Sequence, residues 1–286
     1  MSRRTPGCVL RAALPALALV LLGGCALPRQ ITASPPPEIA FGARLLAQGD
    51  EQGAQVQFDR AIRNGGGNGT VFLMVLRACQ TVGRSDLAVQ YGQQALKEAA
   101  GLNRIQRAEI HSAMGDCYLR MRDWTRAIEA NRAALELDPD NPRFLNNLGY
   151  TIAEAPSSAA DLQQALEMTT RAVSLARSQR SFFDDRDVGV FLDSVGWVLY
   201  RMGRHPEAVR VLQQAADLAP GEPEIHLHLA KAYESQGRYE EALVQAQRAL
   251  RAAPRSDAVQ QAHDEIRGRA LAERGAQQGP PSRQAP

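Results

Sequence analysis

The sequence predicts an all-α solenoid of about six helix-turn-helix hairpins closed by a further helix. Three observations predict it. A ladder of five residues, Gly115/Tyr118/Ala127/Ala134/Pro139, recurs as Gly196/Leu199/Ala208/Ala215/Pro220 and as Ala230/Tyr233/Ala242/Ala249/Pro254, the last two copies 34 residues apart. Within a copy, His111, Met114, Gly115 and Tyr118 fall at i, i+3, i+4 and i+7, one face of a helix. A proline closes each copy, where a second helix must stop. Such units pack only on their neighbours, so a length of 286 residues does not translate into one or two globular domains.

The chain opens on a segment of a different kind. Residues 1–11 are cationic, residues 12–22 are apolar, and Leu22-Gly23-Gly24-Cys25 follows. The apolar run is too short to span a membrane and has the shape of a secretory signal peptide over residues 1–24. Arg3, Arg4 and Arg11 leave with it, which turns the formal charge from +2 to −1 and removes any basic excess suited to nucleic acid. Residues 25–37, with Pro35-Pro36-Pro37, read as a stiff tether.

Hairpins follow at 35–68 (Gly42, Leu45, Gly49, Ala54, Phe58, Ala61) and 69–102 (Gly83, Ala88, Ala95), then a spacer at 103–107. The boundary Gly65-Gly66-Gly67-Asn68-Gly69 lacks the Lys-Ser/Thr and the preceding strand of a phosphate loop, so it reads as an inter-repeat turn. The unit 108–141 is the most regular, and Asn141-Pro142 restarts the chain as N-cap and first helical residue. In 142–179 the second helix is delayed by Ala155-Pro156-Ser157-Ser158, an extended turn. A second irregularity covers 177–188. There Asp185 and Asp187 match two ligand positions of a calcium loop, but Gly189 and Gly196 occupy later ones and cannot ligate through a side chain. The frame recovers at 189–222 and 223–256. Residues 257–274 read as a capping helix with Val259, Ala262, Ile266 and Ala270 on one side, and 275–286 as a disordered tail.

Two cysteines, Cys79 and Cys117, remain on the first helices of neighbouring units. They either bond in an oxidising compartment or sit as packed free thiols. No His-Glu-x-x-His or Gly-x-Ser-x-Gly motif occurs. His226 and His228 diverge by roughly 200° around a helix and cannot chelate together. No enzyme, cofactor, metal, nucleic acid or small-molecule substrate is therefore expected.

The ladder resembles the tetratricopeptide repeat (TPR) superfamily over about three-quarters of the chain. The resemblance implies a right-handed superhelix whose first helices line a concave face that holds a protein or peptide partner. Motif positions 2, 5, 6, 9, 12 and 13 would point into it. Toward the N-terminus those positions hold Leu73, Met74, Arg77 and Gln80, then Glu109, Asp116 and Arg120. Arg143, Asn146, Asn147 and Tyr150 come next, then Asp193, Trp197, Tyr200 and Arg201, and last His228, Lys231 and Glu234. Tyr150, Trp197 and Tyr200, beside Arg201 and the two asparagines, have the composition of an interface hot spot. The alternative is that Trp197 and Tyr200 only seal packing across the irregular junction. The lysine and asparagine clamp by which chaperone-binding TPRs hold a terminal carboxylate is absent, since Ser112, Asp116, Val190 and Ser194 stand at its positions.

The Leu-Gly-Gly-Cys ending resembles the lipobox of bacterial lipoproteins, which implies acylation of Cys25; the other reading is an ordinary signal peptide with an incidental cysteine. Ala26 then favours the outer membrane, facing the periplasm, over the outer leaflet of the cytoplasmic membrane. The segments Leu145-Asn146-Asn147-Leu148-Gly149-Tyr150 and Leu192-Asp193-Ser194-Val195-Gly196-Trp197-Val198-Leu199-Tyr200 are similar to those of envelope-associated bacterial TPR proteins. That class implies a scaffold or adaptor for building a pilus, secretin or secretion complex. An adaptor for peptidoglycan hydrolases and a structural homo-oligomer are the alternatives.

Overall fold

Position-8 glycines set the hairpin geometry. A Cβ on Gly196 would lie 2.5 Å from Leu212 Cγ, and one on Gly115 would lie 2.6 Å from Asn131 Oδ1. At these crossings only a residue without a side chain lets the two helices approach that closely, whereas Leu76 and Ala230 hold the same position in the second and sixth hairpins. Opposite them, the position-20 alanines Ala54, Ala88, Ala127, Ala208 and Ala242 are fully buried.

The computed structural model describes residues 35–98 and 101–278. Among the described residues there are thirteen helices and no strand. Hairpins are formed by α1 (Pro37–Ala47) with α2 (Glu51–Asn64), α3 (Gly69–Thr81) with α4 (Ser85–Glu98), and α5 (Arg104–Arg120) with α6 (Trp124–Leu137). Three more follow: α7 (Pro142–Glu154) with α8 (Ala159–Ser178), α9 (Asp185–Arg201) with α10 (His205–Leu218), and α11 (Pro223–Glu234) with α12 (Tyr239–Ala252). Each hairpin stacks on the next, and α13 (Asp257–Gln278) closes the array against α12. The signal segment 1–24, Cys25, most of the tether and residues 279–286 lie outside the described residues.

Helix starts follow local capping. Asn141 accepts a bond from the Arg143 amide with Pro142 at the first helical position, as the dipeptide predicts. Ser158 with Asp161 and Asp184 with Asp187 form reciprocal capping boxes. The aspartates that match a calcium loop therefore start a helix instead. The turns inside five of the hairpins use a left-handed residue. It is Gly49, Gly83, Gly203 and Gly237 in four of them, but Arg122, at φ 58°, in the third.

Three boundaries differ from the sequence expectation. Residues 103–107 are not a spacer: Asn103 caps α5 through a box with Gln106, so the helix starts a turn early. Likewise α9 begins at Asp185, inside the irregular stretch 177–188. The last helix runs through Gln278, because Ala, Glu and Gln after Ala270 continue it where a tail was expected from 275.

The apolar core forms one body through the first three hairpins, another from α7 to α13, and a third between α7, α8 and α9 around Leu148, Ile152, Trp197 and Val198. At the seam, Ala108, Ala134 and Phe144 pack together, and Asn131 donates to Thr151 Oγ1 at 2.9 Å in the interior. Cys79 and Cys117 are buried free thiols, and burial pushes them up to about 12 and about 11 respectively. No described helix is long and apolar enough to cross a membrane.

Candidate functional site

First helices of successive hairpins are tied to one another along one side of the stack by polar side chains. Glu109 on α5, 5% exposed, lies between Arg77 of α3 (3.5 Å) and Arg143 of α7 (2.6 Å). Gln80 donates to the Ala113 carbonyl and to Cys117 Sγ, at 2.8 and 3.3 Å. Asn147 donates to Ser112 Oγ at 3.0 Å and to Asp116 Oδ1 at 3.5 Å. Buried polar groups must find partners, and here the partners sit one repeat away.

The second half of this side carries the aromatics. Asp193 on α9 and His228 on α11 are both buried and meet at 2.9 and 3.0 Å through both carboxylate oxygens. Burial alone would lower the imidazole, but the charge and hydrogen bond of Asp193, with Glu224 beside it, outweigh burial and the nearby Lys231 and raise it. Trp197 stacks on Tyr200 (centroids 4.9 Å, 14°) and on His228 (4.3 Å, 21°), and the Lys231 ammonium lies 5.1 Å from the indole. From α7, Tyr150 reaches the same histidine at 6.3 Å. Burial first, and then the charges of Glu154, Glu224 and Asp193, push the Tyr150 phenol well above its ordinary value.

Of the residues singled out in the sequence, Tyr150, Asp193, Trp197, Tyr200, His228 and Lys231 come together on α7, α9 and α11. Trp197 on α9 is only 6% exposed, packing with Leu148 and Ile152 of α7 and stacking on His228 of α11. Its Nε1 is buried with no partner among the described residues, as is Asn146 Oδ1. Arg201 is placed elsewhere. It donates to the Ala153 carbonyl and, at 3.1 Å, to the Ala155 carbonyl, the C-cap of α7. The long turn after α7 leaves those carbonyls without helical partners, and a cation is suited to that end. Arg120 and Lys231 are exposed, whereas Asn146 is buried and Asn147 is bonded to α5. Glu154 and Glu224 were not singled out, although they occupy positions 13 and 2 of their repeats and the same position rule finds them.

His226, two residues from His228, faces away into the interior and bonds Gln245 Oε1 and the Pro220 carbonyl, both at 3.0 Å. Among the described residues no group of three or more His, Cys, Asp or Glu is placed to hold a metal ion.

Hairpin after hairpin with position-8 and position-20 contacts, and first helices bonded repeat to repeat, define a tetratricopeptide-repeat solenoid. Tetratricopeptide repeat models match residues 108–141 and 199–266. The curated TPR repeat-containing protein PA4667 of Pseudomonas aeruginosa is 33% identical over 100 residues, which are 35% of this chain and 15% of that protein. The matched stretch is thus a small part of the relative. In structure, the chain is similar to the thermophilic TPR protein TTC0263 of Thermus thermophilus (TM-score 0.56, 23% identity, 71% of this chain and 97% of that one). It is also similar to a chain of the APC/C hetero-tetramer Cut9-Hcn1 (TM-score 0.60, 16% identity, 80% of this chain and 42% of that one). Folds of this kind are protein–protein interaction scaffolds, generally without enzymatic activity.

Proposed function

We propose that the chain is a membrane-anchored scaffold of the bacterial cell envelope that holds a partner protein on the concave face of its last three hairpins. The observation that carries this reading is the cluster of Tyr150, Trp197, Tyr200 and His228, drawn from three successive first helices onto one side of the solenoid. Tyr150 and Tyr200 keep part of their rings accessible, and the buried His228 and Trp197 behind them fix those rings by packing, so contact area is offered at little entropic cost. Leu22-Gly23-Gly24-Cys25 supports acylation of Cys25, which would fix the scaffold at the outer membrane facing the periplasm. Assembly of a pilus, secretin or secretion complex is the role that best fits such a protein, since it has to bring envelope components together without transforming them.

A photo-crosslinking residue at Tyr150 or Lys231 in intact cells tests the groove. A heterologous adduct at either position, absent from a probe at Val244 on α12, is the expected result. Adducts only between copies of the chain would replace the scaffold with a homo-oligomer. In the same cells Cys25→Ala should abolish lipid labelling and release the protein from membranes; labelling that persists would remove the anchor from the reading.

A further inference from the structure

The concave face around Tyr150 is lined by acceptors. Glu154, half-buried one turn after Tyr150 on α7, shares its helix face and makes no ion pair among the described residues. Glu224 at the start of α11 likewise makes none. The cations nearby are already engaged or distant: His228 is bonded to Asp193, and Lys231 lies over Trp197. Arg120 is near enough to act on Glu224 but forms no ion pair with it within 4.0 Å. Glu224 is exposed at the start of α11, one turn before His228, whose ring lies 6.3 Å from that of Tyr150. One turn before Tyr150, Asn146, 5% exposed, presents a buried amide oxygen with no donor among the described residues. Two carboxylates, an aromatic ring and an unpaired amide oxygen all ask for the same complement, a cation with N–H donors.

We propose that this face reads a basic side chain, lysine or arginine, on an extended segment of the partner protein, seated between Glu154, Glu224 and the Tyr150 ring. This rests on the concave face being the partner-binding surface and adds what it selects for. A guanidinium or ammonium in that place gives Glu154 and Glu224 the ion-pair partner that neither has among the described residues, while an acidic segment meets Glu154, Glu224 and Asp193 together.

The test uses the full chain with Trp124→Phe, so that emission reports Trp197. Four host peptides of identical sequence are titrated, differing only at a central arginine, lysine, glutamate or norleucine. The arginine and lysine peptides should bind about tenfold more tightly than the norleucine peptide, and the glutamate peptide more weakly still. Glu154→Gln combined with Glu224→Gln should erase the preference without changing the helical circular dichroism. Equal binding of arginine and norleucine peptides, or an arginine preference untouched by the double substitution, would overturn the inference. If no peptide binds at millimolar concentration while Tyr150 still crosslinks a partner in cells, the basic-side-chain inference fails and the groove survives. If Tyr150 crosslinks nothing either, both fail.

Discussion

Asp193 and His228 form a buried acid–histidine pair between the first helices α9 and α11, and they make the array sensitive to protons. The folded-state imidazole is raised above its ordinary 6.5, so the stability it contributes is fully present below that value and is lost as pH rises through the raised one. Urea unfolding compared between about pH 6 and pH 9 should show a fall in the wild-type chain that His228→Gln does not show. His111, whose pKa is lowered by burial and then by Arg107, works in the opposite sense, which is why the variant comparison is needed. The motif positions that the TPR resemblance implies were enough to place Tyr150, Trp197 and His228 on one side, and helical periodicity is consistent with them. They were not enough to separate partner-facing groups from structural ones. Arg201 was expected in the groove and instead holds carbonyls of α7, since its reach depends on a turn whose shape no periodicity encodes.

At the scale of the hairpin, the ladder was legible because glycine and alanine are required wherever two helices close to contact. Caps were legible as well: Asn141-Pro142 starts α7 as the dipeptide predicts. The early starts of α5 and α9 escaped because Asn103 and Asp184 lie outside the repeat frame, and capping boxes act on three residues irrespective of any frame. The same comparison isolates Arg122, which holds φ 58° where four equivalent turns use glycine. A side chain in the left-handed region costs about 1 kcal/mol, partly offset by the entropy that glycine adds to the unfolded chain. Arg122→Gly should therefore stabilise the protein by about 0.5 kcal/mol in chemical denaturation, and a loss of stability would show that the exposed arginine contributes more than its turn strain.

Across the whole molecule, stability should be graded. The first hairpin is joined to the second by Gly65, Gly66 and Gly67, two of them at positive φ, and α2 meets α3 only lightly. The α9–α10 hairpin is packed on both sides and contributes Phe191, Leu192, Val198 and Leu212 to the interior. Hydrogen exchange should open α1 and α2 well before α9 and α10, and uniform protection along the chain would argue against nearest-neighbour packing.

The bonds that run from repeat to repeat between first helices, Arg77–Glu109–Arg143, Asn147–Ser112 and Asp193–His228, have a metric consequence. They clamp consecutive first helices at set intervals, so the side chains between them stand like the teeth of a comb. A partner segment held there, as proposed, is then measured as much as it is recognised. One residue added or removed between two of its anchor side chains would throw every later anchor out of step, even with its composition unchanged.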